Sequence, residues 1–133
     1  MTVPIDQAAV TEAQAAMPDV DVLAIVVGVF RTLGDPTRAK ILYALLSGPL
    51  CVRDLAVAVG VTESAMSHQL RFLKDRRLVK AVRRDSHQIE YRLDDHHVAA
   101  LFHEAEYHAD HVLHGRPDHP YERSSHDSRR PVR

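Results

Sequence analysis

The sequence predicts a mainly α-helical chain with one small β-hairpin, a winged helix-turn-helix that forms a homodimer through its terminal helices. Three stretches predict it. Residues 51–78 (CVRDLAVAVGVTESAMSHQLRFLKDRRL) read as two short helices around a tight turn. Residues 79–93 close on apolar and polar side chains in strict alternation, the mark of a half-buried strand. Residues 94–114 (DDHHVAALFHEAEYHADHVLH) hold six of the ten histidines and no Lys or Arg, on a pattern of helical period.

Taken in order, residues 1–18 are polar and Ala-rich: an N-terminal arm, either frayed or a short helix packing on a partner. A helix is expected from Asp21 to Leu33, with Val22, Ile25, Val26, Val29 and Phe30 on its inner face and Gly34 as its stop. Asp35 then caps the next helix, and Pro36 suits its first turn. Ile41, Leu42, Leu45 and Leu46 form its buried stripe, which ends at Ser47-Gly48-Pro49.

In the central segment, a helix from Val52 to Val59 breaks at Gly60, and a second runs from Thr62, its cap, to Arg76. Leu55, Ala56, Val59, Val61, Met66, Leu70 and Leu73 make the core between them. A small residue, a turn glycine four later and an apolar residue six beyond that meet the packing needs of a helix-turn-helix. An ordinary helical hairpin is the plainer reading. If the second helix enters the major groove, Ser64, Ser67, His68, Gln69 and Arg71 are its candidate DNA-reading residues, since Gln can pair with adenine and Arg with guanine. Arg76, Lys80, Arg83, Arg84 and Lys74 suit phosphates instead. Two strands fill 79–93, with Ile89, Tyr91 and Leu93 facing one way, and Arg83 and Arg84 flank a polar tip like that of a wing.

The histidine-rich helix carries the chemistry. Its apolar positions Val98, Leu101, Phe102, Ala105, Ala109 and Val112 recur at three- and four-residue spacing, and Asp95 suits its N-cap. His97 and His108 are eleven residues apart, almost three whole turns, so they point nearly the same way. The rise between them is nonetheless ~16 Å at ~1.5 Å per residue. A metal ion accepts imidazole nitrogen at about 2.0–2.1 Å, so no single ion spans that gap. Two antiparallel copies across a twofold axis resolve it: Asp95 and His97 of one copy meet His108 and His111 of the other. The expectation is a metal site shared across a dimer interface, two per dimer.

That His3Asp donor set suits Zn(II), and also Co(II) or Ni(II), whereas thiolate-seeking ions would want cysteines that this helix lacks. His114 and His119 lie just beyond and could extend the shell toward six-coordinate Ni(II) or Co(II); a solvated tail is the alternative for both. His96 and His103 flank the ligand face. The acids Asp94, Glu104, Glu106 and Asp110 favour a cation or simply solvate the helix.

Composition bounds the rest. With 133 residues, the chain makes one domain, 19–114, flanked by the arm and by a Pro/Ser/Arg-rich flexible tail, 115–133. The net charge is −1, yet residues 63–92 carry eight Lys/Arg against four acids, so positive charge collects where DNA would lie. A single cysteine, Cys51, excludes a disulfide framework and fits a reducing cytoplasm. No signal peptide is apparent, and the apolar stretch 22–30 is too short to cross a bilayer. The absence of Trp disfavours a stacking platform for single strands.

Residues 22–112 resemble the ArsR/SmtB family of dimeric winged-helix metalloregulators, through GDPTRAKILYALL, the helix-turn-helix segment, the hairpin ending IEYRL and the histidine-rich helix. The family's metal-sensing branch places Asp, His, His and a His or Glu at spacings that fall on Asp95, His97, His108 and His111. The resemblance implies a repressor of metal efflux or sequestration genes, bound as an apo dimer to an inverted-repeat operator and released by metal. It implies also a hydrogen bond from His108 to the carbonyl of Arg77, linking metal to the recognition helix. Cys51 and Asp54 match a second family site, but residues 1–20 lack the Cys or His it needs. The wing tip Asp85-Ser86-His87 replaces a usual glycine. Two rival readings remain: a metal-dependent hydrolase, disfavoured because four protein ligands leave no open position, and a winged-helix repressor of a non-metal signal.

Overall fold

Several boundaries in the helical half of the chain have a local chemical cause. The computed structural model describes residues 1–85 and 88–115. Helix α1 (Gln7–Ala15) starts where the Asp6 side chain accepts from the Ala9 amide, and none of its residues is buried. Helix α2 spans Val20–Leu33, and α3 spans Pro36–Leu46. Asp35 caps α3, its carboxylate accepting from the Arg38 amide at 3.0 Å. Strand β1 (Leu50–Cys51) leads directly into α4 (Val52–Val59). Gly60 ends α4 in the left-handed region, φ 82°, where its amide and that of Val61 both donate to the Ala56 carbonyl. This is the turn of the helix-turn-helix, and a glycine is what a left-handed residue there favours. Thr62 then caps α5 (Glu63–Asp75), accepting from the Ala65 amide at 3.1 Å.

Beyond α5 the chain reverses through Arg77, a non-glycine at φ 57°, and Leu78 donates back to the Leu73 carbonyl at 3.0 Å. Strands β2 (Val79–Arg84) and β3 (Gln88–Leu93) form an antiparallel hairpin, with Ala81 opposite Tyr91 and Val79 opposite Leu93. β1 joins the other edge of β3, Leu50 opposite Tyr91, giving the order β1-β3-β2. The last helix, α6 (His96–His114), follows the hairpin directly, whose base is closed by the Asp94 amide donating to the Leu78 carbonyl at 3.0 Å.

The core is one cluster. Ile41, Leu42 and Leu45 of α3 meet Leu55 and Ala56 of α4, Met66, Leu70 and Leu73 of α5, and Leu78 and Val79 at the start of β2. Val98 and Phe102 join α6 to it, with the Phe102 ring 4.5 Å from that of Tyr43.

Three expectations need correction. Val22, Ile25, Val26 and Phe30 do not face a core within this chain: Ile25 is 68% and Phe30 59% exposed, and Thr32 alone on α2 is buried. The face is apolar, but no layer of the same chain covers it. On α3, Leu46 is only half-buried beside the buried Ile41, Leu42 and Leu45. In β3 the alternation holds at Tyr91 and Leu93, which pack on the core, and fails at Ile89, which is exposed where the hairpin runs past the core. Among the described residues no single helix is long and apolar enough to cross a membrane. The wing-tip residues Ser86 and His87, and the tail from 116 onward with His119 and His126, lie outside the described residues.

Candidate functional site

Asp95 is the N-cap of α6, held extended at φ −146°, ψ 175°. Its Oδ1 accepts from the His97 amide at 2.8 Å and lies 3.1 Å from His97 Nδ1. The amide hydrogen bond is the main cause that holds the Asp95 carboxyl below its usual range, so it stays an anion at neutral pH. A ~3.3 Å separation is the edge of a tetrahedron with bonds of about 2.0–2.1 Å, so this oxygen–nitrogen pair is spaced to bind one ion together. Capping and ligation use the same carboxylate without conflict, because an ionised carboxylate has several lone-pair sites. The His97 ring stacks on His96 at 4.3 Å.

His108 and His111 are exposed at the far end of α6. Among the described residues no group of three or more His, Cys, Asp or Glu could hold a metal within one chain. Asp95 and His97 lie at the start of α6, and His108 and His111 lie toward its other end. The flanking histidines are engaged by acids: His103 Nδ1 is 3.4 Å from Glu106, and His114 Nδ1 is 2.7 Å from Asp110. An imidazole whose Nδ1 is so held offers Nε2 as a ligand atom, which leaves His114 chemically competent. Cys51 is half-buried and precedes α4, with Asp54 in that helix's first turn; among the described residues they gather no third ligand.

The second candidate surface is α5. Ser64, Ser67, His68 and Arg71 are exposed, and Ser64, His68 and Arg71 lie on the side away from Met66, Leu70 and Leu73. Gln69 and Arg76 sit elsewhere. With Phe72 they recur at i, i+3 and i+7, which makes one flank of the helix. Gln69 is half-buried and its Oε1 accepts from Arg38 Nε at 3.3 Å. Arg76 is folded back over the Phe72 ring at 3.4 Å, with Nη1 donating to the Phe72 carbonyl at 3.4 Å. Of the hairpin cations, Arg83 is exposed, Lys80 half-buried, and Arg84 lies 3.5 Å from Glu90. Lys74 is exposed in the last turn of α5.

Sequence reasoning missed Arg38, whose guanidinium lies 4.1 Å from the Phe72 ring centre as well as against Gln69. It missed also the ion pair of Arg53 and Glu63 at 2.9 Å, which joins the first turns of α4 and α5. Neither contact is local in sequence, so no periodicity announces it.

Residues 35–81, from the cap of α3 into β2, match the family described as bacterial regulatory protein, arsR family. The chain is 45% identical over 103 residues to the HTH-type transcriptional regulator NmtR of Mycobacterium tuberculosis, covering 77% of this chain and 85% of that one. The chain belongs to the ArsR family. A transcriptional repressor SmtB homolog from Synechocystis is 48% identical over 83 residues, which span 62% of this chain and 60% of that relative's length. The fold agrees: a homodimeric winged helix-turn-helix DNA-binding domain from Mycobacterium bovis superposes with a TM-score of 0.67 at 31% identity, covering 80% of this chain and 99% of that one. As in those relatives, the ArsR assignment makes this chain a DNA-binding transcriptional regulator and not an enzyme.

Proposed function

We propose that this ArsR-family regulator is a metal-responsive repressor, whose apo homodimer binds an inverted-repeat operator and whose interface helix takes Zn(II), releasing the DNA. The observation that carries the reading is the division of four metal-ligating side chains between the two ends of α6. Neither half-site completes a shell alone, and a second antiparallel copy supplies what each lacks. The exposed apolar residues of α2 and of the outer face of α6 are the surface such a pairing would cover, and the homodimeric relative supports it.

Asp95 would contribute an anionic oxygen and His97, His108 and His111 neutral nitrogens, a donor set matched to Zn(II). When bound, the ion would tie the two chains together through these four side chains. This chain's own residues do the rest. Asp95 fixes the start of α6, and the Asp94–Leu78 hydrogen bond at the base of the hairpin holds that start beside the segment that leads from α5 into β2. A contact from His108 to the carbonyl of Arg77, the left-handed residue closing α5, would complete a second path to the recognition helix. A shift of α6 is thereby felt at Ser64, Ser67, His68 and Arg71, the groove-facing residues, while Arg83, Arg84 and Lys80 hold phosphates. Linkage requires that DNA weaken metal binding by the same factor, with couplings typically ~1–3 kcal/mol.

His114, with Nδ1 held by Asp110, supports a second version in which the ion is Ni(II) or Co(II) in a larger shell. Titrating zinc into the protein–operator complex while following anisotropy tests the main reading. Wild type should release DNA, and His97→Ala with His108→Ala should not. Release of the double variant at the same zinc level would refute the switch. The optical spectrum of cobalt-substituted protein separates four- from six-coordinate versions.

A further inference from the structure

We propose that Tyr43 is a positioning residue that holds α6 to its own chain in opposition to metal binding, and so sets the metal concentration at which the operator is released. This rests on the reading of α6 as the metal-binding interface helix. Tyr43 lies on α3 beside Leu42, which is fully buried in the core that α3 shares with α4 and α5. Its ring packs on that of Phe102, 4.5 Å between centres and tilted by 48°. Its hydroxyl donates to the carboxylate of Glu106, about one turn further along α6. Phe102 is also the last residue of α6 to be buried in this chain. Tyr43 therefore grips α6 where its packed part ends.

Helix geometry gives the direction of the effect. At about 100° per residue, Phe102 and Glu106 stand roughly 40° apart around α6, whereas His97, His108 and His111 stand roughly 140–180° from Glu106. The face that Tyr43 holds is thus opposite the face that carries the ligand histidines. Sharing an ion with a second copy draws the ligand face toward that copy, and α6 then moves away from Tyr43. One side of the helix gains what the other gives up. The position docked on Tyr43 belongs with DNA binding, and the position drawn toward the second copy belongs with release. A hydrogen bond made only in the docked position must be surrendered when metal binds, so it lowers metal affinity by its own worth. Glu106 also lies 3.4 Å from His103 Nδ1, but that contact is internal to α6, moves with it and offers no resistance.

Zinc affinity of the full-length protein, measured by chelator competition, tests this together with zinc titration of the operator complex. Tyr43→Phe keeps the ring contact and every charge and removes only the hydroxyl. It should bind zinc about fivefold more tightly than wild type, the size of one ordinary hydrogen bond, and release operator DNA at a correspondingly lower zinc concentration. A hydroxyl that merely supported the fold would not tighten metal binding when lost. Glu106→Gln and Glu106→Leu are both uncharged, and only the first keeps an acceptor for Tyr43. Glu106→Leu should therefore bind zinc more tightly than Glu106→Gln by a similar factor, and adding Tyr43→Phe to Glu106→Leu should change nothing further. Zinc affinity in Tyr43→Phe equal to or weaker than wild type would overturn the proposal, as would full additivity of Tyr43→Phe and Glu106→Leu. Should Tyr43→Phe fail to fold, the Glu106 pair still decides: equal zinc affinity of the two removes the tie. Wild-type protein that keeps its operator at saturating zinc would instead refute the metal-responsive reading on which the tie depends.

Discussion

Asp95 caps α6, the proposed function makes it a metal ligand as well, and two substitutions separate the two roles. Asp95→Asn keeps a side-chain oxygen that can accept from the His97 amide, a bond of 2.8 Å here, and Asn is as good an N-cap as Asp. Asp95→Ala removes the bond and leaves an orphan amide at the start of α6. Loss of a cap of this kind costs about 1 kcal/mol, within a range of about 0.5–2 kcal/mol. In urea unfolding of the apo protein, Asp95→Ala should therefore lose about 1 kcal/mol, with Asp95→Asn within a few tenths of wild type. Zinc affinity, measured by chelator competition, should follow a different order. Both variants lose the anionic ligand, and the deficit should exceed the 10–100-fold that outer-shell partners typically cost. Wild-type zinc affinity in Asp95→Asn would refute Asp95 as a ligand. Equal stability of the two apo variants would refute its capping role.

Other outcomes follow from single features. Gly60 is left-handed at φ 82°, and a Cβ added there would meet nothing within 4 Å, so Gly60→Ala should destabilise through the backbone alone, by ~1–2 kcal/mol in chemical denaturation. Tyr43 has its hydroxyl pKa raised by burial and by its hydrogen bond to Glu106. A pKa raised on folding contributes stability that is complete below the unfolded value near 10 and is lost as pH rises through the folded value; a wild-type stability that declines above about pH 10 more steeply than that of Tyr43→Phe checks it. Arg83→Ala, an exposed wing cation, should weaken binding to all duplexes alike and lower the salt slope by about one in titrations at several ionic strengths.

Much of the architecture was legible because its punctuation is local. Gly60 and Thr62 bound α4 and α5 through a left-handed stop and a hydroxyl cap, and Asp35 and Asp95 do the same for α3 and α6; each acts within a few residues of itself. β1 was not legible. Two residues, Leu50 and Cys51, show no periodicity, and they are strand only because Tyr91 and Glu90 of β3 lie opposite. The inner face of α2 was read for its apolarity alone, which does not say whether the cover comes from the same chain. The separation of Asp95 and His97 from His108 and His111 along α6 was legible because helical rise is a fixed quantity. The contact of Gln69 with Arg38 was not legible because the two are 31 residues apart, beyond any local pattern.

The claim that each metal site is built from two chains can be tested by mixing two crippled proteins. Asp95→Ala/His97→Ala lacks one half-site, His108→Ala/His111→Ala lacks the other, and neither should bind zinc tightly alone. After co-refolding in equal amounts, half the dimers pair the two variants, and each mixed dimer regains one site of two, so tight zinc binding should return to about a quarter of the wild-type capacity. A mixture that binds no more zinc than its separate components would contradict the account.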